Sequence, residues 1–134
     1  MTNKEKEIVQ STFEKVAPIA ETAASIFYTK LFELDPELKS LFKGDIKSQG
    51  RKLMTMLGAA VKGLDDMESL LPVVQGLGNR HGGYGVQIKD YETVGAALLS
   101  TLQTGLGNDW NEEVREAWVS VYSVLSSAMI EAQS

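Results

Sequence analysis

An all-α domain is the fold this sequence predicts, on three observations. Apolar residues recur at three- and four-residue spacing in one segment after another. No apolar/polar alternation of strand length stands out. Capping residues, prolines and glycines punctuate the chain at intervals that suit helices.

Taken in order, Thr2 with Glu5 three residues later is a capping-box pattern, and Ile8, Phe13 and Val16 follow loosely on one helical face. Pro18 marks a break, since a proline inside a helix removes a hydrogen bond and clashes with the preceding turn. A second helix is expected from about Pro18 to Leu34, carrying Ala20, Ala24, Phe27, Tyr28, Leu31 and Phe32. Asp35-Pro36 reads as a cap and first position for a short turn, "PELKSLF", that ends at Phe42. Asp45 suits the cap of a long helix with Gln49, Leu53, Met56, Leu57 and Ala60, ending near Gly63. "DDMESLLPVVQGLGNRH" reads as a shorter, irregular helical region with Pro72 in a first turn or at a kink. Gly82 and Gly83 are expected to end it by supplying positive φ angles. "KDYETVGAALLSTLQTGLG" is a further helix, closed by Gly105 and Gly107. The last, about residues 109–131, sets Val114, Trp118, Val121, Tyr122, Leu125 and Met129 on one side. No repeat or linker divides the chain, so residues 1–134 are expected to form one domain.

Composition narrows the function. With 43% hydrophobic residues in 134, the chain can bury one proper core. A net charge of -5 without a basic cluster has the wrong sign for nucleic acid or an anionic membrane, so neither is expected as a partner. There is no cysteine, hence no disulfide, thiolate metal site or thiol nucleophile. The charged start "MTNKEKEIVQ" lacks the apolar core of a signal peptide, and no apolar run approaches membrane-span length. A soluble cytoplasmic protein is the expectation.

His81, in "GNRHGGYG", is the only histidine. Judged by residue type alone, a lone histidine near a helix end caps carbonyls or lies in solvent. It excludes a two-histidine metal site, and the nucleophile-elbow, Walker and dinucleotide-binding glycine motifs are missing too. One histidine still suffices where the metal arrives inside a cofactor. Haem iron takes four ligands from its porphyrin and needs one axial group, for which neutral imidazole is suited.

Four segments, in order, bring in a family. "FYTKLFELDPELKSLF", "SQGRKLMTML", "LGNRHGGYGV" and "DYETVGAALLSTL", with "EAWVSVY" opening the last helix, resemble globins of the bacterial single-domain type. These are similar to neuroglobins and to the haem domain of flavohaemoglobins. The resemblance covers nearly the whole chain. It implies a globin fold of about seven helices, three over three around b-type haem (iron protoporphyrin IX), with the D helix absent.

The resemblance also implies site roles. His81 matches the proximal iron ligand, whose second ring nitrogen should donate to a carbonyl or side chain. Phe42 matches the aromatic that wedges the haem. Tyr28 and Gln49 match the distal pair that donates hydrogen bonds to bound ligand. Leu53 matches the apolar residue that limits ligand access, and Met56 and Leu57 continue that wall. Lys52 matches a position that reaches a haem propionate, with Arg51 and Arg80 as weaker candidates. Val86, Tyr91, Val94 and Leu98 should line the proximal side. Without a cofactor, the same residues read as core packing for Phe42, Met56 and Leu57, a structural tether for Tyr28, and solvated side chains for Gln49 and Lys52. Flavohaemoglobins pair the Tyr91 equivalent with a glutamate on the last helix. Counted from Trp118, that position is Gln133 here, while Glu131 falls on a different face. A weakened electron donation from His81 to iron is therefore expected.

The functional expectation is reversible, high-affinity dioxygen binding, with nitric oxide and carbon monoxide as related ligands. Nitric oxide dioxygenation is a linked activity. The sequence ends soon after the last helix, without a flavin and nicotinamide domain, so turnover would call on a separate reductase. A haem-based gas sensor or interaction module, and simple oxygen storage or delivery, stand as alternatives. A monomer or weak homodimer is expected.

Overall fold

The computed structural model describes residues 2–42, 45–83 and 86–133, with residues 81 and 83 described in their backbone alone. Six α-helices are formed among them: α1 (Asn3–Val16), α2 (Ala20–Leu34), α3 (Ile46–Gly63), α4 (Met67–Gly83), α5 (Ile88–Leu106) and α6 (Glu112–Gln133). Three 3-10 segments, Ala17–Ile19, Pro36–Leu41 and Gly107–Asp109, join them, and no strand occurs among the described residues. The segment from Pro36 supplies the short seventh helix expected from the sequence, in 3-10 form.

Local chemistry sets most helix starts. The Thr2 hydroxyl accepts from Glu5 N while the Glu5 carboxylate accepts from Thr2 N, completing the box. Asp35 accepts from Glu37 N and Asp45 from Lys47 N, each satisfying an amide that the first turn leaves without a partner. Asn111 does the same for Val114 N at the start of α6. Pro18 sits in the 3-10 segment that separates α1 from α2.

Two expectations about helix ends are corrected. Helix α4 has the length expected but runs through Gly82 to Gly83, two residues past the expected end at His81, so those glycines lie inside it. Pro72 lies inside it, a full turn beyond its first residue. Gly105 lies within the last turn of α5, and Gly107 alone among the described glycines has positive φ, 53°. Gly78 and Gly82 serve close approach instead. A Cβ on Gly78 would lie 2.4 Å from the Met129 carbonyl oxygen, so α4 and α6 cross almost backbone to backbone. A Cβ on Gly82 would lie 3.0 Å from Gln133 Cγ.

Contacts run most densely between α4 and α6, α2 and α5, and α1 and α6. One core cluster draws residues from all six helices around Trp118, Leu64 and Leu102, all nearly inaccessible. Burying each such side chain contributes about 1.5–3 kcal/mol relative to exposure. The Trp118 indole N–H donates to Thr12 Oγ1 at 2.9 Å, and that hydroxyl donates on to the Ile8 carbonyl, so the polar atoms inside this core are paired. A second cluster gathers Phe27, Tyr28, Leu31, Leu38 and Ala97, with Phe32, Phe42, Leu53, Val94 and Leu98 packed against it. No helix among the described residues is long and apolar enough to cross a membrane.

Candidate functional site

The second cluster is where five of the sequence-nominated residues converge. Tyr28 comes from α2, Phe42 from the end of the 3-10 segment, Leu53 from α3, and Val94 and Leu98 from α5. Tyr28 sits edge-on to Phe42, with ring centroids 5.3 Å apart, and edge-on to Phe27 at 5.2 Å. Phe32 stacks on Tyr28 at 5.9 Å and meets Phe42 at 5.6 Å. Such aromatic pairs fix ring orientation beyond what area burial alone would do.

Helix α3 is delivered to this cluster by a missing side chain. A Cβ on Gly50 would lie 2.9 Å from Ala24 Cβ and 3.7 Å from Tyr28 Cε2. Gly50 therefore lets α3 rest directly on α2 beside the Tyr28 ring. A glycine inside a helix costs about 1 kcal/mol relative to alanine. That cost is the one sequence signal of a close crossing here, and reasoning from motifs passed over it.

The face of α3 that bears Gln49, Lys52, Leu53, Met56, Leu57 and Ala60 is strongly amphipathic yet poorly covered. Gly50 and Val61 are the buried residues of this 18-residue helix, while Gln49, Leu53, Leu57 and Ala60 are half-buried. Met56 is 37% exposed. Helices α3 and α4 meet sparingly, with Gly63 set against Leu70. Leu53 packs against the second cluster and Leu57 and Ala60 against the first, which leaves Met56 as the stripe's open apolar position, where a flat apolar group would fit.

Polar demand at the site points the same way. Tyr28 is 6% exposed, and its hydroxyl has no hydrogen-bond partner among the described residues. No buried side-chain nitrogen or oxygen among them goes unpaired, so this hydroxyl reaches accessible space. Burial pushes its pKa above the usual tyrosine value, which keeps it an O–H donor. The Gln49 side chain is likewise without a protein partner among the described residues.

Charges separate the three candidate cations. Arg51 pairs with Glu21 on α2 at 3.7 Å, which directs it away from the Lys52 face. Lys52 and Arg80 are exposed and have no ion pair among the described residues, so each is available to a carboxylate.

The His81 side chain lies outside the described atoms; its backbone belongs to the last turn of α4. Around that turn the polar groups are connected. The Tyr91 hydroxyl donates to Gln133 Oε1 at 2.7 Å, and Gln133 Nε2 donates to the Val86 carbonyl. The Tyr122 hydroxyl donates to the Tyr91 carbonyl at 2.7 Å. Gln133 also packs against Gly82, next to His81 in sequence. The link from Tyr91 to the last helix thus exists, with a neutral amide in place of a carboxylate. Burial raises the pKa of Tyr91, and the neighbouring Asp90 adds to it. Tyr122 is raised further, by burial first and Tyr91 second.

The globin family profile matches residues 25–129. This chain is a globin. Neuroglobin of Dissostichus mawsoni is 31% identical over 96% of this chain and 90% of its own length. Neuroglobin of Danio rerio is 32% identical over the same shares. A flavohemoprotein of Halalkalibacterium halodurans is 29% identical over 99% of this chain but only 33% of its own length. A hexacoordinated heme protein from an anhydrobiotic tardigrade shares the fold at a TM-score of 0.88 and 21% identity, over 98% of this chain and 94% of that one. An engineered carbene transferase, a putative nitric oxide dioxygenase from Rhodothermus marinus, does so at 0.89 and 23%, over 99% and 93%. The globin fold that the sequence predicts is therefore borne out. Globins bind haem, and the exposed Met56 of α3 and the unpartnered Tyr28 hydroxyl fit it.

Proposed function

We propose that this globin binds haem b through His81 and holds dioxygen with high affinity between Tyr28 and Gln49. Haem, when bound, supplies an iron that coordinates dioxygen, carbon monoxide or nitric oxide. The chain's own residues do the rest. Leu53, Met56, Leu57 and Phe42 provide the apolar wall on one side, and Val86, Tyr91, Val94 and Leu98 on the other. Lys52 is the cation for a propionate. The observation that carries this reading is Tyr28: its ring is buried, and its protonated hydroxyl has no protein acceptor among the described residues and reaches open space.

In a site closed to water, a donor without an acceptor costs about 1–3 kcal/mol. That cost is recovered when a ligand accepts the hydrogen bond. Bound dioxygen carries partial negative charge and gains from two donors in a site that excludes water, whereas carbon monoxide is less polar and gains less. Gln49 and Tyr28 are thereby selective for dioxygen. Stopped-flow dioxygen release from Tyr28→Phe and Gln49→Leu tests the idea. Each should release dioxygen about tenfold or more faster, the effect of about 1.4 kcal/mol. Unchanged rates in both would overturn it.

Nitric oxide dioxygenation suits the same pair of donors, and the structural neighbour from Rhodothermus marinus is a putative enzyme of that kind. Repeated turnover would need a separate reductase as partner. Nitrate formed in a single turnover would support this activity, and its absence would remove it. The lack of cysteine accords with a reducing cytoplasm.

A further inference from the structure

The outer face of α3 has little part in the reading above. Its cations, Lys47, Arg51, Lys52 and Lys62, are all exposed. Ser48, Thr55, Met56 and Ala59 are the exposed positions between them. Helical spacing sets these residues on one continuous face, which meets the site face at Lys52 and Met56. No acidic residue occurs in Ile46–Gly63, so 18 residues carry four positive charges and no negative one. The rest of the chain has nine Lys and Arg against eighteen Asp and Glu. The net charge of -5 therefore conceals a cationic ridge on an acidic molecule.

Most of this charge is unmatched. Arg51 pairs with Glu21, but Lys47, Lys52 and Lys62 have no ion pair among the described residues. The other ion pairs among them, Lys4–Glu113, Lys15–Asp109 and Arg115–Glu112, lie on α1, on α6 and on the 3-10 segment before α6. On α6 the balance is reversed, with four acids and one arginine. Unmatched charge of one sign on one face steers a partner of the opposite sign. A nucleic acid or an anionic bilayer would extend past the ridge and meet the acidic remainder, whereas the acidic face of a protein need not. An 18-residue helix is about 27 Å long. Contact on that scale suits the small, transient interfaces of electron-transfer proteins. Met56 offers an exposed apolar contact among the cations, as interface centres do.

We propose that the exposed face of α3 docks the acidic face of a protein electron donor, the separate reductase that repeated nitric oxide dioxygenation requires. The proposal rests on the reading that this globin binds haem. The donor loses one electron and ferric iron gains it, with no bond made or broken. Gln49 and Leu53 lie on the other side of the same helix, and a helix is about 10–12 Å across. A partner seated on the ridge is thus one helix away from the residues assigned to the bound gas.

Stopped-flow reduction of the ferric, haem-loaded protein by an acidic flavodoxin in its hydroquinone form reads the surface. The second-order rate should fall steeply toward about 1 M salt, where charges are screened beyond about 3 Å. Lys47→Glu combined with Lys62→Glu should slow reduction about tenfold at low salt, with dioxygen release unmoved. Lys4→Glu combined with Lys15→Glu makes the same change in net charge on α1 and should slow it about twofold at most. A decaglutamate peptide should move the backbone amide resonances of α3, and not those of α1, in the chain as purified. Equal slowing by the two double variants, or a rate indifferent to salt, overturns the docking face. Peptide shifts that miss α3 overturn it too, even if a variant fails to fold. Phosphatidylglycerol vesicles that bind through Lys47 and Lys62 more tightly than flavodoxin would place a membrane there and overturn the partner. A chain that takes up no haem contradicts the proposed function instead, and the peptide result still decides the surface.

Discussion

The Tyr91 hydroxyl donates to Gln133 Oε1 at 2.7 Å, tying the start of α5 to the end of α6. The same amide donates to the Val86 carbonyl, and its stem packs on Gly82, so one side chain braces three positions that follow His81. Gln133→Leu removes both hydrogen bonds and should cost about 1–3 kcal/mol in urea unfolding. Gln133→Glu keeps the acceptor for Tyr91 but loses the donor to Val86, so its cost should be smaller. Equal stability of all three proteins would show that the bridge contributes nothing.

Alkali should destabilise the fold through tyrosine. Burial raises the pKa of Tyr28, Tyr91 and Tyr122 in the folded chain, with Asp90 adding to the shift of Tyr91 and Tyr91 to that of Tyr122. An unfolded tyrosine ionises near pH ~10. Above that pH the unfolded chain binds fewer protons than the folded one, so stability falls as pH rises toward the folded pKa values. Below it the contribution is whole. Urea midpoints should decline from about pH 10 upward, and Tyr122→Phe should flatten the decline. A midpoint that stays level across this range would contradict the burial argument.

The crossing of α2 and α3 depends on Gly50. Gly50→Ala places a Cβ 2.9 Å from Ala24 Cβ, so the helices must part. Overpacking of this kind costs about 1–3 kcal/mol. Ala24→Gly in the same chain should recover part of the loss, since the two positions are in contact and their effects do not add. Full additivity of the two substitutions would mean that the crossing is looser than described.

Some parts of this molecule were legible in the sequence because their causes are local. The caps at Thr2, Asp35 and Asp45 act on amides two or three residues away, and the structure shows each one at work. The convergence of Tyr28, Phe42, Leu53, Val94 and Leu98 followed from family resemblance, and the second core cluster contains all five. What the sequence hid is tertiary. Gly82 looked like a helix terminator because nothing local distinguishes a glycine that ends a helix from one pressed against another helix. Arg51 read as a weaker candidate for the role of Lys52, and nothing local showed that Glu21, distant in sequence, pairs with it. Gln133 looked like a lost carboxylate, yet its amide satisfies both a hydroxyl donor and a carbonyl acceptor, which a carboxylate would not.

The central claim is that His81 is the axial ligand of a haem held by this chain. The measurement that tests it most directly is the visible absorption spectrum of the haem-loaded protein, ferric and then ferrous, beside His81→Ala. The account predicts a sharp Soret band in the unsubstituted protein that is shifted or lost in the variant. An identical spectrum from His81→Ala, or no specific haem uptake by either protein, would contradict it.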